Sequence, residues 1–548
     1  MLEKYLTKTE FNSYEDLIEN YKLNIPENFN FAYDIVDEWA KKDRNKTALI
    51  WCDDFGNEKN FTFNDLMTLS NKAANYLLSR GIKKGDKVLL ILKQRPEVWV
   101  SLLALNKIGA VSIPCSYQQT EKDITYRITA SNAKMIIIAD DAEIVKHLKI
   151  IEKSYPDILI LSEGKDNGFK NFSKEIEKFP DTLKRIENKT SDPMLIYFSS
   201  GTTGMPKMVL HDNSYPLGHI TTAKYWQCAE NNTKHLTMSD SGWAKFGWGK
   251  IYGQWICGAI IVAYDTEKFA PHRLLEKIDK LKLTTFCAPP TVFRFLVQED
   301  LCKYDFSTIK HCCIAGEPLN PEIFNKFKEY TGLDIYEGFG QSETSVMIAN
   351  YPYFKIKPGS IGKASPLYNI DIVDENGKHC EDGIVGSVVV KNIDKFRPAG
   401  LFLNYINDDN ANKQSFKNNM YNTGDTAWRD SEGYFWFVGR NDDIIKCSGY
   451  RIGPFEVESA LLTHPAVLEC AITAVPDPIR GQIVKATVVL TKNYIPSENL
   501  IKELQNHVKT VTAPYKYPRI IEFVDELPKT LSGKIRRGQI RKQDNMKG

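Results

Sequence analysis

The sequence predicts an α/β protein with a large body of several subdomains, built on mainly parallel sheets, and a small α+β domain at the C-terminus. Three observations lead there. Short β-branched or apolar runs alternate with amphipathic stretches from about residue 66 onward. The texture changes to turn residues and charges near 433–453, and a compact helix, strand, strand, helix, strand pattern follows. Alternation of the first kind makes parallel sheets covered by helices, whereas the short second pattern suits a separate α+β unit.

In chain order, strands are predicted at 88–92, 135–139, 194–198, 283–287 and 313–315. Alternating with helix-like segments, they fit mainly parallel sheets covered by helices. Helices are predicted at 271–281 and 321–330, and each opens with a proline, Pro271 or Pro321, where a missing N–H costs nothing. The apolar run 255–264 is too short to span a bilayer and reads as one buried element. Beyond it, the small domain comprises a helix at 456–463, strands at 469–475 and 484–490, a helix at 498–510 and a strand at 519–524. The division is placed between 441 and 442, giving a body of 1–441 and a lid of 442–548.

Composition narrows the function. Lys and Arg total 71 against 69 Asp and Glu, a net charge of +2, so nucleic acid and anionic lipid are not expected partners. Eleven cysteines include no Cys-x-x-Cys pair of the zinc-binding kind, which suits reduced thiols in a reducing compartment. Residues 1–20 carry Glu3, Glu10, Glu15, Asp16 and Glu19 without an apolar run, unlike a secretory signal or an acid-poor transit peptide. A cytoplasmic protein without a transmembrane segment is expected.

The strongest local signal is Tyr197-Phe198-Ser199-Ser200-Gly201-Thr202-Thr203-Gly204-Met205-Pro206-Lys207, a strand entering a loop of hydroxyls and glycines that ends in lysine. Glycines let backbone N–H groups approach phosphate oxygens, hydroxyls donate further hydrogen bonds, and the lysine adds a compact positive charge. Taken alone, the segment also admits the weaker reading of a mobile Gly/Ser/Thr linker. It is not the P-loop of nucleotide hydrolases, because Pro206 stands where that motif needs its second glycine.

This loop resembles the signature of the adenylate-forming superfamily, which includes acyl-CoA synthetases, luciferases and peptide-synthetase adenylation domains. Further motifs recur in family order: Ala288-Pro289-Pro290-Thr291, Ala315-Gly316-Glu317-Pro318, Glu337-Gly338-Phe339-Gly340-Gln341-Ser342-Glu343, Tyr421-Asn422-Thr423-Gly424-Asp425, Gly439-Arg440, Ser448-Gly449-Tyr450-Arg451 and Leu527-Pro528-Lys529-Thr530 to Lys534. The resemblance implies ATP, Mg²⁺ and coenzyme A as cofactors and co-substrates. Gly316, Glu317 and Pro318 follow one expected strand and Glu337 to Gly340 another, at the carboxyl ends where open parallel sheets present ligands; by the resemblance these two segments would sandwich adenine, and Gln341 also belongs to the nucleotide site. Phe339 offers a face for stacking, although its ring fits core packing as well.

Ser342 and Glu343 would serve the reaction centre, with Glu343 holding magnesium near the phosphates. Asp425 and Arg440 would hold the ribose, although an Asp after Thr-Gly is also a common turn or cap residue. By the same resemblance Lys534 is the lysine that swings over the active site for adenylation. An ammonium aimed at both the carboxylate and the phosphate lowers their repulsion as charge develops. Charge alone does not single it out, because 534–542 is a basic tail. Asp442 matches the hinge about which the lid turns between half-reactions. Ser448, Gly449, Tyr450, Arg480, Lys509, Tyr517 and Arg519 match contacts to CoA.

Among the superfamily, Ser239-Asp240-Ser241-Gly242-Trp243, Asp477-Pro478-Ile479-Arg480-Gly481 and 511–519 look most like the medium-chain acyl-CoA synthetases. Gln118, Trp243, Gly340 and Arg451 match substrate contacts of that branch. Acetyl-CoA synthetases carry tryptophan where Gly340 stands, so glycine here is expected to open the acyl pocket. An acid larger than acetate is therefore expected, from butyrate to octanoate, branched acids or benzoate. Ser199 and Ser342 replace commoner threonines, and Phe339 replaces a common tyrosine. Lys245 and Lys250 are unexpected beside an apolar tail: they either face solvent or indicate a polar acid.

Two rival readings follow. One is an adenylation enzyme that loads a carrier protein in place of CoA; the other is a silent nucleotide-binding protein that kept the fold. The joint presence of Lys207, Glu343, Asp425 and Lys534 argues against decay.

Overall fold

The computed structural model describes residues 1–164, 167–199, 205–447, 450–529 and 535–547. Its architecture is α/β, with a large body and a small C-terminal unit. Two sheets, largely parallel at their centres, dominate the body. One has eight strands, in the spatial order Asn404–Ile406, Lys207–Asp212, Pro193–Ser199, Val111–Pro114, Lys87–Ile91, Met135–Ile138, Leu159–Ser162 and Lys170–Asn171. The other has nine, and its parallel centre runs Ile335–Phe339, His311–Ala315, Thr285–Ala288, Lys234–Thr237, Ile260–Asp265 and Thr47–Asp53. Strands such as Met135–Ile138 and His311–Ala315 are buried along their whole length, which is why they read as unbroken apolar runs.

One core cluster joins the two sheets, containing Leu90 and Tyr197 from the first and Ala263 and Cys313 from the second, with Trp255 between them. Helix boundaries follow local chemistry. Thr62 and Asp65 form a reciprocal capping box on Phe63–Ser79, and Thr120 and Asp123 form another on Glu121–Ser131. Pro271 and Pro321 occupy first-turn positions of Pro271–Leu281 and Pro321–Thr331, as their sequence position predicts.

The stretch 255–264 is two elements rather than one. Helix Tyr252–Cys257 ends at Gly258, whose φ of 78° breaks the helix, and strand Ile260–Asp265 follows. An apolar run buried on every side carries no period to separate a helix from a strand.

A third sheet, antiparallel, holds Ile370–Val373, Gly386–Lys391, Met420–Arg429, Phe416–Lys417 and Phe435–Arg440. The C-terminal unit carries a fourth sheet, ordered Tyr450–Ile452, Ile445–Cys447, Gly481–Leu490 and Val467–Asp477, with Ile520–Phe523 parallel to Gly481–Leu490. Helices Pro454–Leu462 and Glu498–Val511 pack on it around Leu461, Leu504 and Val508. Among the described residues no helix is long and apolar enough to cross a membrane.

Candidate active site

The candidate site lies where the carboxyl ends of the parallel strands meet the third sheet. Strands His311–Ala315 and Ile335–Phe339 run side by side, with Ala315 opposite Gly338. This places Gly316, Glu317 and Pro318 next to the end of the second strand. Gly316 turns there with φ of 105°, a conformation that favours glycine. Glu337, Gly338 and Phe339 are strand residues, not residues beyond the strand as the sequence suggested. The Glu337 side chain is buried and accepts from the Leu319 N–H at 3.3 Å. With one such partner and little water, burial pushes its pKa up to about 8, so the carboxyl is protonated at neutral pH. Glu317 accepts from the Thr291 hydroxyl at 3.2 Å. The Phe339 ring lies 6.0 Å from that of Phe437, on the third sheet.

Past Phe339 the chain crosses to that sheet. Gln341 is the link: its amide donates to the Asp425 carboxylate at 2.5 Å and to the Thr423 carbonyl at 2.8 Å, and its oxygen accepts from the Tyr421 hydroxyl at 2.6 Å. Asp425 is in turn paired with Arg440 at 3.2 Å. Asp425 therefore lies inside a strand and serves neither as a turn nor as a cap residue.

Ser342 and Glu343 come next. The Ser342 carbonyl faces Nε2 of His211 at 2.8 Å, and burial holds that histidine neutral, with its pKa down at about 3. The Glu343 carboxylate accepts from the Tyr405 hydroxyl at 2.9 Å. It is partly exposed, yet enough protein crowds it that desolvation raises its pKa against the pull of Tyr405, Arg440 and Lys207. Lys207 lies 5.0 Å over the Tyr405 ring, at the start of a strand whose first residue pairs with Ser199. The hairpin thus brings Ser199 and Lys207 opposite each other at the mouth of the hydroxyl-rich loop. Ser200, Gly201, Thr202, Thr203 and Gly204 themselves lie outside the described residues.

In the segment expected to meet the acyl group, Trp243 precedes helix Ala244–Gly249. Gly242 packs directly on the Cys115–Ser116 backbone, bringing the loop of the exposed Gln118 against this segment. Lys245 is partly buried and its ammonium donates to the Ala315 carbonyl at 2.8 Å, beside Gly316. Lys250 is fully buried, with Gln94 accepting from its ammonium; burial lowers its pKa to about 7 against the attraction of Asp265 and Asp240. Neither lysine simply faces solvent.

Gly340 departs from expectation. The room beside its Cα is filled by Trp248: a methyl group there would come within 2.3 Å of the indole Cη2 and 2.5 Å of the Ser345 carbonyl oxygen. The glycine seats a tryptophan rather than opening a void.

In the C-terminal unit, Lys509 lies 4.2 Å over the Tyr517 ring, and Arg519 donates to the Tyr517 hydroxyl at 2.7 Å. These three form one cluster. Tyr450 is exposed and stacks on Tyr515 at 4.2 Å. Arg480 is exposed, on the turn that Asp477 closes by accepting from the Ile479 and Arg480 N–H groups. Asp442 is exposed in the turn after Phe435–Arg440. Ser448, Gly449 and Lys534, and the side chain of Arg451, lie outside the described residues.

Sequence reasoning assigned no role to Tyr405, Tyr421, His211 or Trp248. Tyr421 sits inside a recognised motif and was within reach; the others carry no local pattern.

Residues 36–397 match the AMP-binding enzyme family, and 456–534 match its C-terminal domain. The chain belongs to the AMP-binding enzyme family. It is 42% identical over 544 residues to the acyl-coenzyme A synthetase ACSM3, mitochondrial, of Rattus norvegicus, covering 97% of this chain and 94% of that protein. It is 43% identical over 532 residues to ACSM5, mitochondrial, of Homo sapiens, covering 95% and 91%. Among solved structures, the anthranilate CoA ligase AuaEII in complex with anthranoyl-AMP superposes with a TM-score of 0.86 at 30% identity, covering 95% of this chain and 98% of that one. A benzoate CoA ligase from Burkholderia xenovorans LB400 superposes with 0.83 at 26% identity, covering 94% and 100%.

The expectation of a cytoplasmic protein is overturned, because these curated relatives are named as mitochondrial proteins. The acidic N-terminal residues behind that expectation belong to the fold of this AMP-binding enzyme. Asp16 pairs with Lys8, and Ser13 caps helix Tyr14–Asn20 on the Asp16 N–H. The Asp16 carboxylate thus serves local structure.

Proposed function

We propose that this AMP-binding enzyme is an acid–thiol ligase that activates a short or medium-chain, or small aromatic, carboxylic acid with ATP and passes the acyl group to coenzyme A. In the first half-reaction a carboxylate oxygen attacks the α-phosphorus, forming acyl-AMP and expelling pyrophosphate. In the second, the CoA thiol attacks the acyl carbon, forming the thioester and releasing AMP. The observation that carries this reading is the run from Phe339 to Glu343, which spans two differently equipped ends. At one, Gln341 joins Asp425 and Arg440, an acceptor and a donor suited to ribose hydroxyls. At the other, Glu343 and Lys207 converge on Tyr405 beside the hydroxyl-rich loop, suited to phosphates.

Mg²⁺ fits the second end. Glu343 is an oxygen donor whose charge is disfavoured by its surroundings, so a hard cation there relieves an electrostatic cost. When bound, the ion would neutralise phosphate charge. Gly316 to Pro318 and Phe339 would flank adenine, and the open turn at Gly316 supports that role. Lys534 would serve adenylation, with Asp442 as the hinge between body 1–441 and lid 442–548. Tyr450, Arg480, Lys509, Tyr517 and Arg519 would then meet CoA, whose phosphates suit guanidinium and ammonium groups.

The test supplies ATP, Mg²⁺ and a panel of acids with CoA, and follows AMP and pyrophosphate. AMP formation that requires both acid and CoA is expected. Adenylate formation without thioester, completed only by a carrier protein, would overturn the assignment of CoA as acceptor.

A further inference from the structure

Trp248 stands at the end of helix Ala244–Gly249, immediately beyond the segment that carries Trp243. Its side chain is 5% exposed and meets Gly340 so closely that no side chain fits at 340. The indole is held from several directions. Trp226 stands edge-on to it at 6.3 Å and 87°, and the His219 ring lies 6.2 Å away. The Gln254 amide donates to the Trp248 carbonyl at 2.9 Å, fixing its backbone. Two glycines let the helix sit flush. A side chain at Gly247 would strike the Tyr197 hydroxyl at 2.7 Å, and one at Gly249 would strike Thr237 at 2.0 Å. Close packing of this kind confines the indole.

We infer that Trp248 sets the depth of the acyl pocket, so that this enzyme prefers short or compact acids over long straight-chain ones. The inference rests on the synthetase reading above, which puts the acyl group beside Gly340 and Trp243. An acyl tail that advances past the Gly340 backbone meets the indole, and each further methylene must displace a wedged ring. Gly340 is then the seat of a pocket floor supplied by another element. Lys245, on the same helix, points its ammonium at the Ala315 carbonyl and thereby ties the helix to the adenine-side strand.

The experiment compares kcat/KM for AMP formation with butanoate, hexanoate, octanoate and benzoate in the full chain and in Trp248→Ala. In the unaltered enzyme octanoate is expected to be used at least about tenfold less efficiently than butanoate, since a single methylene in an apolar pocket changes selectivity by roughly that factor or more. Trp248→Ala is expected to raise the octanoate-to-butanoate ratio by at least about tenfold. Trp248→Phe keeps a ring in place and should shift the ratio in the same direction by less, which provides the test if the alanine variant does not fold. An unaltered enzyme that uses octanoate as well as butanoate, or folded variants that leave the ratio unmoved, would overturn the inference. Failure of every acid to yield AMP with CoA would instead overturn the synthetase reading itself.

Discussion

Asp425 and Arg440 face each other across adjacent antiparallel strands, and their side chains pair at 3.2 Å with the Gln341 amide on the second carboxylate oxygen. The carboxylate is almost wholly buried, whereas the guanidinium is partly open. Such an arrangement presents donors and acceptors toward a ligand while the protein fixes their direction.

Replacing Asp425 with Ala removes the shared acceptor of Gln341 and Arg440. Hydrogen bonds to charged groups contribute ~1.5–3 kcal/mol, so ATP binding should weaken by at least about tenfold and the unfolding free energy should fall. Acid-dependent ATP–pyrophosphate exchange and a urea titration measure the two effects. Unchanged KM for ATP would contradict the ribose role.

Lys534→Ala should slow acyl-adenylate formation by ~10²–10³, the scale of losing one stabilising donor in a transition state. Preformed acyl-adenylate should still react with CoA at close to the normal rate. Rapid-quench measurement of each half-reaction separates the outcomes, and equal loss in both would refute an adenylation-specific lysine.

Glu337 gives a pH dependence of known sign. Its folded pKa, about 8, lies above the ordinary 4.5 because of burial. Between these values the folded state holds a proton that the unfolded chain has released, so stability declines as pH rises through that window. Glu337→Gln keeps an acceptor for the Leu319 N–H and cannot ionise. Unfolding free energies measured from pH 5 to 9 should therefore fall less steeply in this variant.

Gly338→Ala probes the packing of strand Ile335–Phe339. A methyl group there would sit 2.4 Å from Cζ2 of Trp226. Overpacking of a filled core costs ~1–3 kcal/mol, and thermal unfolding should register a lower midpoint. Combining it with Trp226→Phe, which shortens the offending ring, should restore part of the loss.

Glu343→Gln should raise the Mg²⁺ concentration needed for half-maximal pyrophosphate release, while leaving the fold intact because Tyr405 can still donate to the amide oxygen. Magnesium titrations of both enzymes decide the point.

The class of fold and the bounds of elements such as Pro271–Leu281 and Pro321–Thr331 were legible because their causes are local. Proline at a first helical turn and an unbroken apolar strand each act over a few residues, so each leaves a mark in the order of amino acids. The ordered motifs marked the segments 316–318, 337–343 and 421–425 for the same reason, as contiguous runs.

Which segments meet was decided by tertiary packing. The antiparallel pairing of Met420–Arg429 with Phe435–Arg440 sets Asp425 against Arg440 and turns a residue that reads locally as a turn or cap into half of an ion pair. The Tyr405 hydroxyl reaches Glu343 because strand Asn404–Ile406 pairs onto Lys207–Asp212, a contact that no spacing announces. Gly340 reads alone as space. Space beside a glycine belongs to whichever neighbour fills it, and in this protein helix Ala244–Gly249 fills it with an indole. Close packing leaves no vacancy for a missing side chain, so the meaning of that glycine lies in a residue far away along the chain.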